Sequence, residues 1–107
     1  MSATQSDLSG KQRRFLRALA HDLRPVVQVG HSGWTAGVEK EVDSALEAHE
    51  LIKIRAAQEC PLSPRELANE VEAGTRSHVT QVLGRVLVVY RPRNERPVIV
   101  LPAPESA

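Results

Sequence analysis

The period of the apolar side chains changes several times along this chain, and each change predicts a new element. Between residues 9 and 23 the apolar positions share one face of a helix, for which Ser9 is the predicted N-cap. The side chains expected to be buried on this face are Phe15, Leu16, Leu19 and Leu23. Residues 26–29 are almost continuously apolar, as in a short buried strand. A second helical pattern, capped by Thr35, places His49 on its buried face. Residues 51–56 then alternate with the period of a half-buried strand.

Capping and turn residues predict the remaining elements. Ser63-Pro64-Arg65-Glu66 has the sequence of a capping box with proline at the first helical position, and Gly74 is expected to end that helix. The apolar runs 79–83 and 86–91 flank Gly84-Arg85, as in a β-hairpin. Four prolines follow from position 92 onward, so residues 98–101 are expected to add at most an edge strand or a docked tail.

The order helix, strand, helix, strand, helix, strand, strand predicts an α/β (α+β) two-layer sandwich with a four-stranded mixed sheet. Its first two strands are expected to be parallel because a helix joins them. A chain of 107 residues has room for one such domain, which we place at 9–101. Residues 1–8 and 102–107 are expected to form a flexible arm and a flexible tail.

Charge is distributed unevenly, although the net charge is only +1. Residues 1–25 and 76–107 each carry a net charge of +3, residues 26–50 carry −4 and residues 51–75 carry −1. This distribution either gives one basic and one acidic face or cancels in the folded molecule. The lone Cys60 excludes an internal disulfide, and no apolar run approaches the roughly 20 residues of a membrane span. With no signal-peptide pattern at the start, we expect a cytoplasmic monomer that does not contact membranes.

The residues that could support catalysis do not combine into a known motif. His31-Ser32 lacks the second glycine of a nucleophile elbow, because Trp34 occupies that place. The four histidines are far apart and the cysteine is alone, so no metal site is predicted. No Gly-Lys-Ser/Thr sequence follows the glycines, which leaves nucleotide hydrolysis without support. We expect no enzymatic activity, no cofactor and no small-molecule substrate.

The segment Gly30-His31-Ser32-Gly33 joins a predicted strand to a predicted helix. Such a junction leaves backbone N–H groups near the positive end of the helix dipole, where a phosphate binds readily. The alternative is a turn that merely needs glycine torsions. The candidates to bind an RNA backbone around this segment are the basic residues of the flanking elements: Arg13, Arg14, Arg17, Arg24, Lys53, Arg55, Arg85 and Arg91.

Only three aromatic residues are present, too few for a platform on which bases stack. Phe15 and Tyr90 are assigned to a helix core and a strand, so Trp34 either stacks on RNA or packs beneath the turn. Contacts to the RNA backbone are therefore favoured over base recognition. An acidic stripe on the second helix is a solvated face or, as an alternative function, a docking site for a basic protein partner: Glu39, Asp43 and Glu47.

Four blocks of this sequence resemble the YhbY family, the stand-alone bacterial form of the CRM (chloroplast RNA splicing and ribosome maturation) domain. The blocks are LAHDLRPVV at 19–27, VGHSGWT at 29–35, HELIKI at 49–54 and QVLGRVLVVYR at 81–91. They occur in the family's order and at its spacing, and the resemblance extends from about Ser9 to Leu101.

The resemblance implies a fold similar to the C-terminal domain of translation initiation factor three. It also implies RNA binding, with the Gly-x-x-Gly loop (Gly30 and Gly33) and nearby basic groups as the contact surface. His31, Ser32 and Trp34 are further candidates for RNA contact in this chain, and the resemblance does not carry over their side-chain contacts. A role in assembly of the large (50S) ribosomal subunit follows, with ribosomal RNA or pre-50S particles as the partner. Family members often have leucine where this chain has Trp34, so the implied contacts depend mainly on the glycines and the backbone.

Overall fold

The computed structural model describes residues 8–103. It contains three helices and four strands in the predicted order: α1 Gly10–Ala20, β1 Pro25–Val29, α2 Ala36–His49, β2 Leu51–Ala56, α3 Pro64–Thr75, β3 His78–Leu83 and β4 Val86–Tyr90. The α/β class and the four-stranded mixed sheet are confirmed. Of the predicted flexible arm and tail, residues 1–7 and 104–107 lie outside the described residues.

The strands are ordered β1-β2-β4-β3, so β1 and β3 form the two edges of the sheet. β1 and β2 are parallel, as the helix between them requires, and β4 runs antiparallel to both β2 and β3. The hairpin turns at Gly84, whose φ is +60°. As a result, the carboxyl ends of β1 and β2 lie at the same end of the sheet as the β3–β4 turn.

The two faces of the sheet are covered unequally. α2 and α3 pack over the larger core, in which β2 contributes Ile52 and Ile54. α1 covers only part of the other face through Leu16 and Ala20, both fully buried. The uncovered part of this second face lies toward the end of the sheet that carries the Gly-x-x-Gly segment.

Side chains at the helix N-termini define where the helices begin. Ser63 and Glu66 form the predicted capping box of α3. Ser9 forms a second one on α1, with Gln12 as its partner. The end of α3 differs from the prediction, because the helix continues through Gly74 to Thr75 and then stops at Arg76 in the left-handed region, with φ +55°.

The expected buried face of α1 is wrong by one position. Leu16 is buried as expected, but Phe15, Leu19 and Leu23 are between 36% and 46% exposed. The helix crosses the sheet with Leu16 and Ala20 at the contact, so their neighbours flank the contact. His49 is also exposed rather than buried, because Leu46 and Glu50 occupy the buried positions at this end of α2.

Residues 93–101 form a docked tail, not an additional strand. Ile99 and Leu101 pack against the α1 core, and the Gln12 amide donates to the Pro102 carbonyl oxygen at 3.0 Å. The tail is held by the buried carboxylate of Glu50, which accepts hydrogen bonds from the N–H groups of Arg93, Val98 and Ile99 at 3.0, 2.8 and 2.9 Å. This tail closes the end of the sheet opposite the Gly-x-x-Gly segment.

Candidate nucleic-acid interface

The Gly-x-x-Gly segment forms a closed turn after β1. The Gly33 N–H donates to the Gly30 carbonyl oxygen at 3.0 Å. Gly33 has a φ of +69°, and a Cβ there would lie 3.2 Å from Pro61 Cγ, so both the torsion and the space require glycine. Because the Gly33 amide is used within the turn, a phosphate contact falls to the exposed apex residues His31 and Ser32.

The start of α2 lies directly after this turn. The Thr35 hydroxyl accepts from the Val38 N–H at 3.1 Å, and the Thr35 carbonyl accepts from the Glu39 N–H at 2.9 Å. The amides of the exposed Ala36 and Gly37 remain at the positive end of the helix. The turn apex and this helix start follow each other directly along the chain, after the carboxyl end of β1.

Arg85 lies at this same end of the sheet. Its Nε and Nη2 donate to the carbonyl oxygens of Ala56 and Ala57 at 2.8 and 2.7 Å, and the Ala57 N–H donates to the Val29 carbonyl at 2.9 Å. The guanidinium thus ties the β3–β4 turn to the residues beside the glycine turn. Two of its donors are used in this way, but its positive charge stays next to the candidate phosphate site.

A groove between α1 and the open sheet face brings further predicted cations together. Arg17 from α1 and Lys53 from β2 both line this groove, whose volume is about 730 Å³. Lys53 Nζ donates to the His21 carbonyl oxygen at 3.4 Å. Arg55 lies two residues further along β2, hence on the same face and toward the glycine turn. We refer to this space as the α1 groove.

The structure separates other predicted contacts from this surface. Arg91 lies at the opposite end of β4 and binds α2, with Nη1 at 2.6 Å from Asp43 Oδ1 and Nη2 at 3.3 Å from Glu47 Oε1. Nη1 also donates to the Thr75 carbonyl at 2.9 Å. Arg91 therefore joins α2, α3 and the sheet, and we remove it from the set of RNA contacts.

The three remaining arginines on or near α1 have different surroundings. Arg13 Nη1 donates to the Val79 carbonyl oxygen at 3.3 Å and so ties α1 to β3. Arg14 is exposed on α1. Arg24 lines a different groove of about 590 Å³, beside the apolar Leu19 and Val26. None of these three lines the α1 groove.

Trp34 packs beneath the turn. Its Nε1 donates to Glu39 Oε1 at 3.2 Å, and its ring packs against the larger core. A Cβ at Gly74 would lie 3.1 Å from Trp34 Cζ2, which places the ring between α2 and α3. Of the two interpretations of this tryptophan, packing describes its position and stacking on RNA does not.

The acidic stripe on α2 is occupied by contacts within the chain. Glu39 holds the Trp34 indole, Asp43 and Glu47 hold Arg91, and Glu47 also accepts from the Asn94 N–H at 2.8 Å. These carboxylates stabilise the fold, which weakens the alternative that they dock a basic partner.

Two side chains that the sequence analysis did not list as contacts also line the α1 groove, His21 and Gln81. His21 lies one helical turn after Arg17, so helical spacing could have identified it. Gln81 could not be found in this way, because only the position of β3 relative to α1 brings it to the groove. Within residues 8–103, every helix is too short or too polar to span a bilayer, and no group of three metal-ligating side chains is present.

A mixed four-stranded sheet with two helices on one face, and with a third helix and a groove lined by Arg17 and Lys53 on the other, defines a small α/β domain. The sequence comparison agrees with this description. The chain belongs to the CRS1 / YhbY (CRM) domain family, whose model matches residues 8–91. The docked tail lies beyond this match.

Relatives cover nearly the whole chain. The Bacillus subtilis (strain 168) protein named "Probable RNA-binding protein YqeI" is 41% identical over 95 residues, which is 89% of this chain and 99% of the relative. A Haemophilus influenzae protein named "RNA-binding protein" is 42% identical over 88 residues, with 82% and 89% covered. The solution structure of SAV1595 from Staphylococcus aureus superposes with a TM-score of 0.76 at 41% identity and covers 90% of this chain and 100% of that one.

Proposed function

We propose that this protein is a non-catalytic RNA-binding protein that acts in assembly of the large ribosomal subunit in the cytoplasm. The names of its relatives support RNA as the ligand. The observation that carries the proposal is the meeting of Arg17 and Lys53 in one groove, with Arg55 further along β2 toward the glycine turn. The ribosomal role follows from the family resemblance, with ribosomal RNA or pre-50S particles as the partner.

The binding mode follows from the groups that remain open on this surface. Backbone amides at the turn apex and at the start of α2 bind one phosphate, as helix N-termini do. Arg17, Lys53 and Arg55 bind phosphates along the open face, and Arg85 adds its charge at the turn. Because these groups contact the sugar-phosphate backbone, they position the RNA without reading its sequence.

Salt dependence of RNA affinity tests this mode. If Arg17, Lys53, Arg55 and Arg85 neutralise about four phosphates on single-stranded or loop RNA, the slope of log affinity against log salt is about −3. Arg17→Gln and Lys53→Gln are each expected to weaken binding and to make the slope less steep by about 0.7. Arg76→Gln is the matched control, because it removes one exposed positive charge at the other end of the sheet, after α3.

Two results would contradict the proposal. One is an affinity that does not change with salt. The other is an equal loss of affinity in Arg76→Gln and in the two groove variants, since that result means that net charge alone sets binding. The ribosomal part is tested separately by sedimentation of a cell extract, in which the protein is expected with particles that precede the mature large subunit.

A further inference from the structure

The α1 groove has a shape that phosphate binding alone does not explain. Its floor is apolar and is formed by the partly exposed side chains of Leu83 from β3 and Val86 from β4. Its rim is polar and is formed by Arg17, His21, Lys53 and Gln81. A phosphate would contact only the polar rim. The apolar floor is therefore suited to a second, less polar group of the same ligand.

The groove exists because α1 leaves the sheet before reaching its end. Leu16 and Ala20 pack on Val88, and the chain then turns away at His21 and Asp22 to enter β1. The hydrogen bond from Lys53 Nζ to the His21 carbonyl oxygen lies at the place where the chain leaves the sheet face. Beyond this point the sheet face is open, and its volume of about 730 Å³ lies within the range of ordinary small-ligand sites.

The side chains on the rim suit a flat, partly polar group. Arg17 and His21 are one helical turn apart, so a planar guanidinium and a planar imidazole stand side by side on one wall. Both planes stack on unpaired nucleobases in RNA-binding proteins. The Gln81 amide offers a donor and an acceptor for the edge of a base. Asp22, which also lines the groove, disfavours an occupant that is only an anion.

We infer that the α1 groove binds one unpaired nucleotide of RNA, with its base against the apolar floor and its phosphate at Lys53. This inference rests on the proposed function and names the RNA feature that the protein selects. A base inside a duplex is stacked on both faces and paired at one edge, so it cannot enter the groove. Arg55 extends the path from the groove toward the glycine turn, so one RNA strand contacts both places.

The test compares three RNA hairpins with the full-length protein at one salt concentration. The first carries a single bulged adenosine, the second carries an abasic site at the bulge, and the third is fully paired. The bulged RNA is expected to bind about tenfold more tightly than the other two, the usual effect of stacking one base on a protein side chain. Gln81→Ala and Arg17→Lys are both expected to reduce this preference, and Arg17→Lys does so while it keeps the charge. The control is Asn69→Ala, which removes an exposed amide from α3 on the opposite side of the sheet.

The outcomes distinguish failure of the nucleotide site from failure of the proposed function. Equal affinity for the three RNAs with salt dependence intact overturns the nucleotide site and leaves the proposed function standing. A preference for the bulge that persists in both variants places the base elsewhere and also overturns the inference. Lack of binding to all three RNAs refutes the proposed function and this inference together. If thermal melting shows that Gln81→Ala does not fold, Arg17→Lys on the surface of α1 carries the test alone.

Discussion

Glu50 offers the sharpest test of how this fold is held together. The residue is 0% exposed and lies between α2 and β2, with a φ of +65°. Its Oε2 accepts from the Arg93 N–H, and its Oε1 accepts from the N–H groups of Val98 and Ile99. Its own carbonyl oxygen accepts from the Arg91 N–H at 2.9 Å. The change that tests this arrangement is Glu50→Gln, which keeps the size of the side chain and removes its charge.

The expected loss is smaller than the sum of the three bonds. Hydrogen bonds to a charged group contribute about 1.5–3 kcal/mol each, which sets a ceiling of about 5–9 kcal/mol. The tail can detach and hydrate its N–H groups, so the loss is limited to the net free energy of docking, which is small because the cost of ordering the tail offsets most of the gain from its contacts. The glutamine also keeps one acceptor oxygen but turns an NH₂ group toward the Arg93 N–H. We expect a loss of about 2 kcal/mol in the free energy of unfolding and of about 10 °C in Tm.

The pH dependence has a definite sign. Burial alone raises the pKa of the Glu50 carboxyl, but the backbone N–H groups of Arg93, Ile99 and Val98 and the charge of Arg93 outweigh burial and leave that pKa lowered. In the unfolded chain the carboxyl titrates near about 4.3. The stabilisation is therefore complete above that value and is lost as the pH falls through the lower folded-state pKa. Glutamine at this position does not titrate, so the stability gap between the two proteins narrows in acid.

Urea unfolding of both proteins at pH 7, 5, 4 and 3 measures this gap, since the slope m verifies that the same surface is exposed on unfolding. Glu41→Gln, the same chemical change at an exposed site on α2, is the matched control. Hydrogen exchange at Val98 and Ile99 is expected to accelerate in Glu50→Gln alone. A gap of less than about 0.5 kcal/mol at pH 7, the size of an ordinary surface substitution, would refute the role of the carboxylate. A gap that stays constant from pH 5 to pH 3 would refute the electrostatic part.

Three further predictions follow from the same contacts. Replacement of both His31 and Ser32 by aspartate is expected to weaken RNA binding about tenfold through charge repulsion and to change the free energy of unfolding by less than about 0.5 kcal/mol; unchanged binding removes the turn from the interface. Arg91→Gln is expected to lower the free energy of unfolding in urea by about 1–2 kcal/mol, a modest loss because the partner carboxylates are partly exposed, and to leave RNA affinity within about twofold. Unchanged stability together with weaker RNA binding would show that Arg91 contacts RNA. Burial and, to a lesser degree, the charge of Glu50 raise the pKa of Tyr90. Absorbance titration of this single tyrosine is therefore expected to give a midpoint above about 10, and Glu50→Gln is expected to lower that midpoint. A midpoint at or below the ordinary value contradicts the burial of the phenol.

The features that sequence predicted correctly depend on neighbours within a few residues. The Ser63 capping box is set by residues three apart, and the Gly84 turn by the torsion that one residue needs. Alternation along β2 likewise gave the face that carries Lys53 and Arg55. These local rules, together with the order of elements, were enough to predict the sheet and its mixed topology.

The features that sequence missed depend on which elements meet in space. The buried face of α1 was misjudged because the helix covers only part of one sheet face, where Leu16 and Ala20 are its buried residues. In the sequence Glu50 resembles an ordinary surface acid, because the three N–H groups that bind its carboxylate come from the distant tail. Arg91 likewise resembles an RNA contact, because the two carboxylates that bind it lie on α2. In each case the side chain's partner is more than 30 positions away, which no periodicity can reveal.

The basic residues of this chain therefore fall into two groups, those whose donors are bound within the fold and those that face open space, and the two groups are expected to respond differently to salt. Arg91 is mostly shielded, with 16% of its side chain exposed, and its donors already bind two carboxylates and the Thr75 carbonyl oxygen. Arg17 and Lys53 face an open groove, where RNA must displace counterions and where salt competes directly. Raising the salt concentration is thus expected to release RNA while the fold persists. The number of arginines says little about affinity in such a domain; the number whose charge still faces an open surface decides it.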